Sequence, residues 1–133
     1  TLLTTTWGAR AHCAMFDLFG RVMGGLGLAS PIDPCKFGDG SGLCADAEAA
    51  GFASAACQVV PVDLHLPREK RMTLVHGTPL GAVLAARAEA GESDLVQRVE
   101  QALDAAFAAH GAQQADGSVL FAAMHMVVLT ANC

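Results

Sequence analysis

The sequence predicts an α/β chain: a small mixed or antiparallel three-stranded sheet with flanking helices. Three stretches read as strands. The opening "TLLTTTW" is β-branched and aromatic, "ACQVVPVDLHL" alternates apolar residues, and "SVLFAAMHMVVLTA" is almost continuously apolar. Between them, apolar residues recur at helical spacings, so the expected order is β-α-α-β-α-α-β. The 133 residues suggest one domain over the whole chain, long enough to bury roughly two thirds of its unfolded surface. Three strands are a meagre core for a chain that is 53% hydrophobic.

The first strand should end at Gly8. Met15, Leu18, Phe19, Val22, Met23 and Leu26 then mark one face of an amphipathic helix over residues 10–26, stopped by Gly27. A loop punctuated by Pro31 and Pro34 leads to a helix over 41–50, capped by Asp39 or Ser41 and terminated by Gly51. The strand over 55–66 carries Val60, Val62, Leu64 and Leu66 on one face. Its Pro61 cannot donate to a ladder, which places it at an edge or a bulge. Residues 68–89 read as helix split at Gly77-Thr78-Pro79, with Thr78 as N-cap and Pro79 in the first helical position. After Gly91, a helix over 93–109 should be capped by Ser93, show Val96, Val99, Leu103 and Phe107 on one face, and end at Gly111. The continuous apolarity of the last strand implies burial on both faces.

Composition narrows the function classes. No run reaches ~18 apolar residues, so no membrane-spanning helix is expected. No secretory leader is expected either, because a basic segment before a long apolar run is missing from the opening. The net charge is −5, and the basic cluster Arg68-Glu69-Lys70-Arg71 has no interleaved aromatics, which argues against a nucleic-acid surface. Cys13, Cys35, Cys44, Cys57 and Cys133 form an odd set without C-x-x-C spacing. They read as reduced, mostly buried thiols in a cytoplasmic protein, and no metal site is expected from them or from the scattered histidines.

"GDGSG", residues 38–42, raises the question of a phosphate or adenosyl cradle. Such a loop needs a buried parallel strand running straight into the glycines. Here the preceding residues are "SPIDPCKF", whose prolines exclude a central strand, so the glycines read as the entrance to a helix.

Within its neighbours, however, this segment carries a resemblance. "FGDGSGLCADAEAAGF", residues 37–52, resembles the "F-x-x-x-D-x-x-x-L-x-x-x-L-x-x-A-G-F" helix and turn before the sixth strand of class I S-adenosylmethionine-dependent methyltransferases. "LLTTTWG" resembles that family's fifth strand, and "SVLFAAMHMVVLTA" its last strand, which inserts antiparallel between the fifth and sixth. "MTLVHGTPLGAVLAA" and the helix after it resemble the lid of small-molecule members, a helical insertion over about 68–111. The match covers nearly the whole chain as an ordered series, and its specificity lies in order and spacing.

The resemblance implies the C-terminal half of a Rossmann-like methyltransferase fold, on the substrate side. The family's "D-x-G-x-G-x-G" loop and ribose-binding acid have no counterpart here, so no cofactor-binding residue carries over. S-adenosylmethionine is then expected only if another chain or segment completes the fold. Trp7 and Gly8, at the end of the fifth strand, and His76, Thr78 and Leu80, in the lid, are the implied substrate-side residues. The reaction would be in-line methyl transfer to a small molecule, helped mainly by positioning. The other expectation is a catalytically silent binding or assembly module. Either way the first strand lacks a neighbour, which implies a homo-oligomer or a complementary chain. Catalytic residues stay unassigned: His125 reads as core, His12 and His65 as solvated, and Cys44 as a structural thiol.

Overall fold

In the computed structural model, residues 1–110 and 113–133 are described. The elements run β1 (Leu2–Trp7), α1 (Ala14–Gly25), α2 (Ser41–Ala49), β2 (Ser54–Leu66), α3 (Arg71–His76), α4 (Pro79–Glu89), α5 (Leu95–Ala109) and β3 (Val119–Asn132), with single 3-10 turns at Arg10–His12 and Arg68–Lys70. The chain is mixed α/β, and its three strands form an antiparallel sheet in the order β1-β3-β2. β1 pairs with β3 from Leu2 opposite Ala131 to Trp7 opposite Met126. Thus β2, with Pro61 in it, is an edge strand, as a residue without an N–H donor demands.

Several boundaries differ from the sequence reading, each for a local reason. The expected helix over 10–26 is a 3-10 turn followed by α1. Cys13 breaks it with φ −126° and ψ 67°, a conformation in which its thiol is buried with the carbonyls of Gly8 and His125 both within reach of its single proton. The N-cap of α5 is Asp94 rather than Ser93. Its buried stripe is Leu95, Val99, Leu103 and Phe107, with Val96 outside, because a strict spacing of four starts one residue earlier. The expected stop at Gly111 lies outside the described residues. In β3 burial alternates instead of covering both faces: Val119, Phe121, Met124, Val127, Leu129 and Ala131 are buried. An antiparallel sheet needs only one dry face, and alanine, histidine and methionine on the other hide the alternation. The inward parity shifts beside Ala123, the one non-glycine among the described residues with positive φ (51°). Its N–H is held by Asp63 Oδ1 at 2.8 Å.

The backbone divides into two compact units. The first comprises Thr1–Phe16, Asp33–Leu64 and Ala122–Cys133. In it α2 packs through Ala47 on Leu129 and Ala131, with Leu43, Cys44, Phe52, Ala55 and Cys57 around them. Gly51 ends α2 at φ 97°, and the Phe52 N–H reaches back to the Ala47 carbonyl, the left-handed cap expected there.

The second unit comprises Asp17–Ile32 and His65–Phe121. Its core holds Val75, Leu80, Leu84, the α5 stripe and Phe121, with the Phe107 and Phe121 rings edge to face at 6.0 Å. Gly27, at φ 67°, closes α1. The Arg87 guanidinium caps that end, donating to the carbonyls of Leu26 and Gly27 while both Glu92 carboxylate oxygens hold it from the other side at 2.6 Å. Two parallel N–H···O bonds of this kind fix orientation as well as charge.

Candidate functional site

The carboxyl end of β1 gathers the chemistry of the first unit. Trp7 is half-buried, with its ring edge to face against Phe16 at 5.2 Å. Gly8 is buried, and its N–H donates to the His125 carbonyl at 2.7 Å. A Cβ at Gly8 would lie 2.7 Å from the His125 Cβ, so only glycine lets the chain leave the sheet this close to β3. The turn after Gly8 then lays the His12 imidazole on that of His125, centroids 4.2 Å apart and planes 19° off parallel. His125 is therefore a half-buried stacking partner, not the core residue its apolar neighbours suggest. His12 is exposed as expected, but it has a partner.

Cys13 lies beneath this pair, and beside it Cys35 is buried. Burial first, and the neighbouring Cys13 thiol second, push the Cys35 thiol up to about 12. Cys35 is therefore inert packing at neutral pH. Arg10 closes the rim through Asp33 at 2.6 Å and the Phe16 carbonyl at 3.2 Å. The arrangement offers a half-buried aromatic ring and two imidazoles around a strand end. Aromatic faces of this kind offer stacking surface rather than a fixed hydrogen-bond pattern.

The lid-like residues lie in the second unit. His76 is exposed at the last position of α3, and Thr78 is the exposed N-cap of α4. The Thr78 hydroxyl does not cap forward; it donates back to the Val75 carbonyl at 3.0 Å. Leu80 is 2% exposed and serves the core of that unit. Gly81 lets the two helices meet, since a Cβ there would come 2.8 Å from the His76 carbonyl oxygen.

The glycines at 38–42 do not fit an adenosyl cofactor. Gly40, at φ 91°, faces Val127 and Cys57, and a Cβ there would meet them at 2.6 and 2.8 Å. The space a ligand would need is occupied by the sheet. Asp39 instead accepts the Ser41 N–H at 3.0 Å, which holds its carboxyl below the usual range. This is a turn that seats α2, with Gly40 as the N-cap. Sequence reasoning missed the sulfur contact beside it: Cys44 and Cys57 are both half-buried, so of the five thiols only Cys13 and Cys35 are buried.

No protein-family model and no curated protein matches this chain.

Proposed function

We propose that the chain is the substrate-side portion of an S-adenosylmethionine-dependent small-molecule methyltransferase, active only with a complementary cofactor-binding half. One observation carries this reading. The strand that comes last in the chain lies between the first two, antiparallel to β1, as the resemblance implies for the family's last strand. The outer edge of β1 has no strand partner among the described residues, and Leu3 on it is 68% exposed. That is where a further strand of the same layer would add.

In this reading the chain supplies no cofactor contact of its own. Trp7 and Gly8 shape the end of β1 toward an apolar acceptor; His76 and Thr78 are the exposed positions of the lid-like helices, and Leu80 holds those helices together from the core of their own unit. Their contribution is orientation and exclusion of water.

Two measurements test the proposal. The DNA upstream of the Thr1 codon is expected to encode a frame with a "D-x-G-x-G-x-G" loop. Calorimetric titration of the chain alone with S-adenosylmethionine is expected to give no binding heat, and the product of the extended frame should bind it. Binding by the chain alone, or an extended product that does not bind, overturns the reading. A frame that lacks the loop leaves the cofactor half to a separate chain, and if no such chain restores binding an assembly module is favoured in its place.

The exposed β1 edge also supports self-association of the isolated chain. Light scattering after size exclusion should give a mass above the 13.6 kDa monomer. A dispersed monomer would count against an edge that needs covering.

A further inference from the structure

Cys44 and Cys57 stand 13 positions apart, in the first turns of α2 and in β2. Their sulfurs are 2.6 Å apart. A covalent disulfide, at ~2.05 Å, is only about half an ångström shorter, so the two sulfurs have little distance left to close. We propose that Cys44 and Cys57 form a reversible disulfide, a thiol modification site independent of the methyltransferase reading.

The approach is built into the backbone. Gly40, which precedes α2, has no side chain where a Cβ would sit 2.8 Å from the Cys57 Cβ and 2.9 Å from its sulfur. The Gly40 carbonyl accepts both the Cys44 N–H at 2.9 Å and the Cys57 thiol at 3.1 Å. Both cysteines belong to the apolar cluster that seats α2 on Leu129 and Ala131, so neither element has to move far for the sulfurs to join. When they do, the Gly40 carbonyl loses the thiol donor and keeps the backbone one.

Access sets this pair apart from Cys13 and Cys35. Cys13 and Cys35 are buried, while Cys44 and Cys57 are half-buried and within reach of a small oxidant. The oxidant required is a low-molecular-weight disulfide of the glutathione type. The Cys44 thiolate attacks one of its sulfurs, forming a mixed disulfide and releasing one small thiol. Cys57 then gives up its proton to solvent, attacks the Cys44 sulfur and expels the second small thiol. Two protein thiols are oxidised to one disulfide, and one small disulfide is reduced to two thiols. Burial first, then the Cys44 neighbour, push the Cys57 thiol up to about 11, so it forms thiolate less readily and is not the first attacker.

The cysteine positions make the test direct. Trypsin cuts after Lys36 and Arg68, and the peptide 37–68 holds Cys44 and Cys57 and no other cysteine. The folded chain is equilibrated in glutathione buffers of increasing oxidised fraction, quenched in acid, alkylated with N-ethylmaleimide and digested. Peptide 37–68 should become two hydrogen masses lighter and unalkylated, and should return to double alkylation after dithiothreitol. At a fixed glutathione ratio, the closed-to-open ratio should be roughly a hundredfold higher in the folded chain than in concentrated urea, where closure of the loop is no longer prepaid. In the Cys57→Ser variant, Cys44 should stop at the glutathione mixed disulfide. Double alkylation of peptide 37–68 at every ratio, pairing with cysteines outside it, or equal closure in urea would overturn the proposal.

Discussion

Replacing Gly40 with alanine is expected to destabilise the chain by about 2–5 kcal/mol, one of the largest single-site effects in the molecule. Two costs combine. At φ 91° and ψ −3°, a side chain occupies the left-handed region, at about 1–2 kcal/mol. The new methyl would also lie 2.6 Å from Val127 Cγ1 and 2.8 Å from Cys57 Cβ. Val127 is fully buried, so it has nowhere to withdraw, and overpacking of this kind costs about 1–3 kcal/mol. The neighbouring glycines separate the two contributions. Gly38 has φ 56° and nothing within 4 Å of its added Cβ, so Gly38→Ala should show the backbone cost alone, about 1–2 kcal/mol. Gly42 lies inside α2, its nearest contact Phe37 at 4.0 Å, and Gly42→Ala should be neutral or stabilising by up to ~1 kcal/mol. Urea midpoints for the three variants check the order. If Gly40→Ala proved as mild as Gly38→Ala, the glycine would not be there to let α2 approach the sheet.

That series bears on how much of the molecule was legible in its sequence. Features decided within a few residues were readable: the left-handed stops at Gly27 and Gly51, Pro79 opening α4, and Pro61 holding β2 at an edge. The N-cap and first stripe position of α5 each lie one residue from where the pattern alone puts them, because Leu95 and Val96 are equally apolar and only packing chooses between them. The site was less readable. Trp7 and Gly8 mark a strand end by local pattern, but the stack of His12 on His125 joins residues more than a hundred positions apart. It depends on the β1–β3 register and on the absence of a side chain at Gly8, neither of which leaves a periodic trace. The Cys44–Cys57 contact is hidden in the same way. Its only sequence signal is a glycine two elements away from the strand it lets in. The position of β3 between β1 and β2 is not legible in hydrophobic pattern, which does not reveal strand order.

The second large effect is expected at Asp104. Arg71 is 4% exposed, with its guanidinium 4.7 Å from the Phe107 ring. Asp104 and the Gly117 carbonyl accept from its two terminal nitrogens, and its Nε is buried with no hydrogen-bond partner among the described residues. One donor is already sacrificed, so the carboxylate matters the more. Asp104→Ala strands a buried cation on a single carbonyl and should cost about 3–5 kcal/mol, the range for breaking a buried pair from one side. Arg71→Met should cost less, because Asp104 is 36% exposed and keeps Arg68 at 3.2 Å. If the loss comes from the unpaired charge, combining Asp104→Ala with Arg71→Met should cost less than the two single changes added together. The pH dependence follows from the same contacts. Burial pushes the Asp104 carboxyl up, but hydrogen bonds from Arg71 and Arg68 outweigh it and hold the group below its ordinary value. A carboxyl depressed on folding contributes fully above its unfolded value, about 3.9, and loses that contribution as pH falls through the lower folded value. The gap between wild type and Asp104→Asn should therefore be constant from neutral pH down to about pH 5 and narrow only below about pH 4. Because the carboxylate is more than a third exposed, added salt should narrow it too. Urea midpoints across that range decide the matter: a gap that closed near pH 6 would point to a histidine, and no gap at all would mean that the Arg71 charge is carried by other groups.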